Sequence, residues 1–437
     1  MKLFLTNLVL ATAMTCATGA VAKPYCTELT ERAQLPKKYQ NRGPFYSDTA
    51  SGWIIGQDQL ASNFVVSDQV TALWIGIAKE FKKLDTELVV LAAPPRPLFA
   101  PADVLRQINL PSDFNLEELR DRFSAYITVL NTAGIIAPDL SKLAQSKHSN
   151  SYYFTRDTHW TPMGAAISVS HLKEAIDQTP AEETISTIIA SQNYEEKGSL
   201  AAVVEEICGT RPEIEKVPSP QFAQQGSAES LFADQTDEDT IALVGTSFSD
   251  RYKRDAYKVA DAISFVMDAT VENYSVTGGG IVGAMEAFIH SGALENSRFK
   301  NVVWEVPYSA PLTKVDGLRQ ILGVLLTQNI KPLDEGLETQ ISDKWITLKH
   351  RFSAADLKAL EIRTNKISVG QLVVELIDTK GTSTQFKLVK TDRIAATFRS
   401  TRWALALTNL PNTEIIKIKL RLKGGIVQET ATVNFFK

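Results

Sequence analysis

Cysteine and histidine are scarce, with three and five in 437 residues. That leaves little material for a metal cluster or a disulfide-dense scaffold. Positive charge is not in excess either. The 46 Lys and Arg against 50 Asp and Glu give a net charge of −4, which argues against nucleic acid as a partner. An anionic ligand would need a local basic groove instead. No run beyond the N-terminus approaches the roughly 20 apolar residues of a membrane helix. Internal repeats and low-complexity tracts are absent, which excludes solenoids and disordered tails. What remains is ordinary globular composition, 44% hydrophobic and 22% charged. At roughly 100–200 residues per domain, the length predicts two or three domains.

The N-terminus carries a compartment signal. Met1-Lys2 is a short cationic start, Leu3 to Met14 is mostly apolar, and Ala20-Val21-Ala22 is a small-x-small cleavage pattern. Residues 1–22 are expected to be a signal peptide cut after Ala22, delivering a periplasmic protein without a membrane span. A retained N-terminal anchor is the alternative. Cys16 would leave with the leader. Cys26 and Cys208 would then remain in an oxidising compartment, either as one disulfide or as two buried thiols.

Alternating elements follow. Leu73, Ile77, Phe81 and Leu84 share one face of a helix spanning 70–84. Leu88 to Ala92, Ile241 to Val244 and Val302 to Trp304 read as buried strands. Residues 115–131 and 315–329 read as helices, and Thr161-Pro162 opens another. This pattern predicts an α/β unit over 23–334, a parallel sheet with flanking helices. A surface excursion is expected within it over 212–239. Past about residue 335, short strands separated by turns such as Lys380-Gly381 and Gly424-Gly425 predict an all-β sandwich over 335–437.

Two features carry chemistry. Asp157-Thr158-His159 lies just before the helix at Thr161. An Asp two residues away can accept the imidazole Nδ1–H and leave Nε2 free as a base. A structural histidine satisfied by its neighbour is the bland alternative, and a metal pair lacks further ligands. Gly245-Thr246-Ser247 directly follows the strand 241–244, where open α/β sheets place their sites. There Gly245 would permit a tight turn into a helix, and the N–H groups that follow would face an oxyanion at Ser247. Ser249 competes as nucleophile, from a position inside that helix. Gly278-Gly279-Gly280 reads as a ligand-approaching loop or a plain turn. Trp304 to Tyr308 ends another strand with polar residues. Together these are the parts of a Ser-His-Asp acyl-transfer site.

Asp157-Thr158-His159-Trp160-Thr161-Pro162-Met163-Gly164 and Gly245-Thr246-Ser247-Phe248-Ser249 resemble the alginate O-acetyltransferase family. That family is similar to SGNH hydrolases with the motif order permuted. The resemblance covers most of 24–330, including the glycine run, the 304–308 segment and the position of the two cysteines. It implies Ser247 as nucleophile, His159 as base and Asp157 as its orienting acid, moving acetyl onto an acidic exopolysaccharide, alginate. It also implies oxyanion donors at Ser247 and the Gly278–Gly280 loop, with Tyr308 lining the cleft. The C-terminal β unit would be a carbohydrate-binding module, with Arg399, Arg402 and Trp403 as a sugar platform, or with Trp403 in the core. Arg251, Tyr252, Lys253 and Arg254 would meet polymer carboxylates, or form a solvated face. No cofactor or metal is called for. Partners would be the polymer and proteins of an export complex. An O-acetylesterase and a non-catalytic scaffold are the competing readings.

Overall fold

The computed structural model describes residues 23–437 except 62, 223–239, 253, 297–298, 329, 411–413 and 424–427. The expected leader, its cleavage site, Lys253, the Gly424-Gly425 turn and most of the 212–239 excursion lie outside the described residues. The start of that excursion pairs as Glu215–Gln221 with Ile189–Glu196 in a two-stranded antiparallel ribbon.

The first part of the chain is built on a four-stranded parallel sheet. Its strands are β1 (Glu87–Ala92), β2 (Thr240–Val244), β3 (Thr270–Asn273) and β4 (Phe299–Val306), in the order β1-β4-β2-β3. Flanking helices are α1 (Asp68–Lys83), α2 (Leu116–Thr132), α3 (Pro162–Asp177), α4 (Ser199–Cys208), α5 (Val259–Met267), α6 (Ile281–His290) and α7 (Val315–Thr327). The sequence explains several boundaries. Ser67 caps α1 by accepting the Val70 N–H, Asn115 caps α2, and Thr161 caps α3 by accepting from Gly164, with Pro162 in the first turn. In α1, Leu73, Ile77 and Phe81 are fully buried, as their helical spacing predicts.

Among the described residues, the C-terminal region holds eight strands in two antiparallel sheets. These are β5 (Leu337–Ile341), β6 (Ile346–Ser353), β7 (Ala359–Thr364), β8 (Gly370–Asp378), β9 (Ser383–Lys390), β10 (Arg402–Ala406), β11 (Glu414–Lys423) and β12 (Glu429–Phe436). One sheet runs β6-β11-β8-β9 and the other β10-β7-β12-β5. Leu372, Val374, Ile418 and Leu420 on one sheet meet Leu360, Ile362, Trp403 and Val433 on the other in a common core. Strand β10 is also packed against α7, whose Arg319 donates to Ala406 O at 2.7 Å.

The turn after β2 differs from expectation. No helix follows Ser247 directly. Residues 246–252 form turns, Tyr252 and Lys258 take left-handed φ near +57°, and α5 starts only at Val259.

Candidate active site

Three elements meet at the carboxyl ends of β2 and β4. The first is a short loop, 153–160, closed by a bridge between Tyr153 and Trp160 and by the Thr161 N–H on Tyr152 O. It runs into α3 and presents Asp157 and His159. The second is the turn after β2 that carries Ser247. The third is the N-terminus of α4.

His159 lies between the other two side chains. Its Nδ1 hydrogen-bonds Asp157 Oδ1, and its Nε2 stands 2.8 Å from Ser247 Oγ. A carboxylate can only accept, so Nδ1 carries the proton. Nε2 is then the acceptor for the Ser247 hydroxyl. Asp157 is fully buried and His159 nearly so, whereas Ser247 is partly exposed. The ring is fixed by Phe248 and Tyr257, with centroids at 4.6 and 5.2 Å.

Asp157 is held ionised. Burial alone would push its carboxyl up. The hydrogen bond from His159, the Arg251 guanidinium and the Ser199 N–H overcome this and hold it well below the usual carboxylate range. The Ser199 N–H reaches Asp157 Oδ2 at 2.5 Å, and Arg251 Nη2 lies at 3.3 Å. Ser199 is the first residue of α4, so the positive end of that helix faces the carboxylate. The next two N–H groups, of Leu200 and Ala201, donate to Arg156 O. Gly198 makes this fit possible. Its φ is +77°, and a Cβ there would stand 2.5 Å from Arg156 O.

Two charged side chains, one buried and one partly exposed, hold the loop. Arg96, fully buried, donates to Phe154 O at 3.0 Å, to Thr155 O and to Ile54 O at 2.7 Å. Glu215 accepts the N–H groups of Thr155 and Arg156 at 2.9 and 3.1 Å. Tyr308 donates to Thr158 O at 3.1 Å and accepts from Gln59 at 2.9 Å. It therefore braces the loop from behind and is 5% exposed, so it does not line an open cleft as expected.

Other sequence candidates fall elsewhere. Arg251 sits 15% exposed between Asp157 and, at 3.9 Å, Glu196, with its guanidinium over the Tyr252 ring. Tyr252 and Arg254 are exposed. Around the glycine run, a Cβ on Gly278 would meet Arg393 and one on Gly279 would meet Val276 and Ile394. Gly278 and Gly280 take positive φ, and Gly280 caps α6. The run is therefore a turn packed against the C-terminal region. Gly245 also has a different role from the one expected. Its φ is not left-handed, and it is needed because Glu305 fills the space a Cβ would take. Ser249, the competing hydroxyl, is buried in the turn.

In the β sandwich, Trp403 is fully buried and donates to Ile367 O, so it offers no face to a sugar. Arg402 is spent on Glu361 and Thr327 O, and Arg399 on Ile394 O and Asp392 O. The basic surface that sequence reading missed lies on the other sheet. Along β11, Ile418, Leu420 and Leu422 point inward, while Lys417, Lys419, Arg421 and Lys423 alternate outward. Lys349 stands in register with Lys417, and Val373, in register with Arg421, also pairs with Lys387. Trp345 lies beneath two of these cations, 4.5 Å from the Arg421 guanidinium and 5.9 Å from Lys419 Nζ. The period-two run Lys-x-Lys-x-Arg-x-Lys was legible in the sequence.

Cys26 and Cys208 form a disulfide, 182 residues apart in sequence, at the far end of α4. Among the described residues, no helix is long and apolar enough to cross a membrane.

An aligned hydroxyl, imidazole and carboxylate over the end of a parallel sheet is the arrangement of a serine acyl-transfer or hydrolase centre. The family model described as the SGNH hydrolase-like domain of acetyltransferase AlgX matches residues 52–308, and the chain belongs to that family. The alginate biosynthesis protein AlgX of Pseudomonas putida is 26% identical over 320 residues, 69% of this chain and 64% of that protein. The probable alginate O-acetylase AlgJ of Pseudomonas syringae pv. tomato is 26% identical over 285 residues, covering 60% of this chain and 70% of that protein. The solved structure of Pseudomonas aeruginosa AlgX matches with a TM-score of 0.66 at 21% identity, over 93% of this chain and 99% of that one. At that identity the likeness speaks for the fold.

Proposed function

We propose that this chain is a periplasmic O-acetyltransferase that moves acetyl through Ser247 onto hydroxyls of an acidic exopolysaccharide, alginate, at its mannuronate residues. The observation that carries the reading is the 2.8 Å approach of Ser247 Oγ to His159 Nε2, backed by the buried Asp157. Family membership and a relative named a probable alginate O-acetylase support the acetyl group and the polymer.

In the first step Ser247 Oγ attacks the carbonyl carbon of an acetyl donor while His159 Nε2 takes the hydroxyl proton. The donor's bond to the acetyl group breaks, and its leaving group takes that proton from His159. In the second step a sugar hydroxyl attacks the acetyl-enzyme and gives its proton to His159. The Ser247 ester bond breaks and Oγ recovers the proton. Asp157 keeps the imidazole in the Nδ1–H tautomer and stabilises the imidazolium formed in each step. The Ser247 N–H would stabilise the oxyanion.

The chain is read as a leader over 1–22, an acetyltransferase unit over 23–334 and a carbohydrate-binding module over 335–437. The cationic face of β11, with Trp345 beneath it, supports carboxylated sugar as the module's ligand. Other proteins of an export complex would present the polymer. The test is incubation with a chromogenic acetyl ester and mannuronate oligomers, beside Ser247→Ala. Acetylated oligomers made only by the unmutated chain support the transferase. Ser247-dependent acetyl release to water alone supports the esterase. Polymer binding without turnover supports the scaffold.

A further inference from the structure

Glu305, near the end of β4, has no part in the chemistry above, yet it lies directly under the nucleophile turn. It is fully buried. Its Oε2 accepts the Thr246 N–H at 2.6 Å, and Thr246 Oγ1 donates to the same carboxylate at 3.0 Å. Thr246 Oγ1 in turn accepts the Phe248 N–H at 3.4 Å. The residues on both sides of Ser247 are thus tied, through one hydroxyl, to one carboxylate. Gly245 is the space that admits it, because a Cβ there would stand 2.5 Å from Glu305 Oε2.

We propose that Glu305 is a positioning residue for acyl transfer, acting through Thr246 to lock the 245–248 turn and so the aim of Ser247 Oγ at His159. This rests on the acyl-transfer reading of Ser247. An ionised Glu305 can only accept, so both Thr246 donors point at it and the Thr246 oxygen is left to receive Phe248. A protonated Glu305 still accepts through its carbonyl oxygen, but it loses the charge that strengthens both Thr246 bonds and adds an O–H that needs its own acceptor, which loosens that order. The charge has little opposition. Burial raises the carboxyl to about 7, against the hydrogen bonds from Thr246. The groups facing it are the Thr246 and Ser249 hydroxyls of the turn, and Tyr153 of the base loop, whose hydroxyl burial keeps neutral. Among the described residues, no Lys, Arg or His forms an ion pair with it.

The test is the rate at which a fluorophosphonate labels Ser247. In this reaction the Oγ–P bond forms, fluoride leaves and His159 takes the hydroxyl proton. Rates are followed from pH 5.5 to 9 with melting curves alongside, for the full chain, Glu305→Gln, Thr246→Val and Thr246→Ser. Glu305→Gln and Thr246→Val should label at least about tenfold more slowly, since small misplacements of a nucleophile are costly. Thr246→Ser, which keeps the hydroxyl, should stay within about twofold. The acid limb of the pH profile should lose one ionisation in Glu305→Gln. Labelling of Glu305→Gln at the original rate with the original profile would overturn the proposal. If that variant does not fold, equal slowing of Thr246→Ser and Thr246→Val would overturn it. An unmutated chain that does not label at Ser247 would defeat the acyl-transfer reading itself, and the proposal with it.

Discussion

Ser199 donates its backbone N–H to Asp157 Oδ2 at 2.5 Å, which makes the carboxylate behind His159 the cap of α4. The opposite end of that helix is Cys208, bonded to Cys26. One ten-residue helix therefore joins the disulfide to the acid of the site.

The first prediction concerns that link. Closing 182 residues of chain contributes up to about 5 kcal/mol in the chain-entropy model. The paired change of Cys26 and Cys208 to Ser should lower the urea midpoint accordingly. Because the C-terminal end of α4 loses its covalent tie in that variant and keeps only its packing on Leu29, Leu35 and Phe45, turnover of an acetyl ester should also fall. Unchanged turnover in the folded variant would show that α4 holds Asp157 without the disulfide.

Asp157→Asn keeps the shape of the site but loses the acceptor that selects the Nδ1–H tautomer. Ester turnover should fall by about 10³- to 10⁴-fold, as for such dyads generally. A loss of tenfold or less in steady-state kinetics would mean that His159 is oriented by its packing on Phe248 and Tyr257.

Arg96 satisfies three carbonyl oxygens that lie 42 to 59 residues away in sequence. Arg96→Met leaves them buried without donors, and the cost should be about 3–5 kcal/mol in chemical denaturation. Arg96→Lys, with one compact ammonium in place of a planar fork, should recover only part of that.

The basic face predicts binding rather than chemistry. Lys419→Ala with Arg421→Ala should weaken mannuronate-oligomer binding about tenfold or more at low salt, and less as salt screens the remaining charge. Hydrolysis of a small ester should be unaffected. Titration calorimetry at two ionic strengths checks both parts.

Stability should respond to pH with opposite signs at the two buried carboxyls. Glu305 binds its proton more tightly folded than unfolded, with values of about 7 and 4.5. Its contribution is full below 4.5 and is lost as pH rises through about 7, a change of about 3 kcal/mol. Asp157 is depressed, so its contribution is present above 3.8 and lost as pH falls. Urea midpoints of Glu305→Gln should be flatter between pH 4.5 and 8 than those of the unmutated chain. Parallel curves would show that Glu305 does not titrate there.

Much of this was legible in the sequence because it is local. Helical spacing fixed α1, and the apolar-rich runs 372–376 and 415–422, set between turn signals, marked β8 and β11. The Asp157-x-His159 spacing marked the dyad two residues apart. Strand β7 is hard to read from sequence because its buried Glu361, paired with Arg402 and Asn434, breaks the apolar pattern a central strand should show. Strand β5, Leu337–Ile341, is half polar and pairs only on one side. The helix expected after Ser247 is absent because non-glycine residues there adopt left-handed φ, which composition does not reveal. Arg96, Glu215, Ser199 and Glu305 reach their partners across 42 or more residues, so no short motif contains both ends.

The central claim is that Ser247 carries the acetyl group. The direct measurement is rapid quenching of the chain with an activated acetyl ester, followed by peptide-mapping mass spectrometry of the unmutated chain and Ser247→Ala. The account predicts acetyl on the Ser247 peptide, formed at a rate sufficient for turnover, and no turnover in Ser247→Ala. Acetyl on a different residue, or turnover that survives in Ser247→Ala, would contradict it.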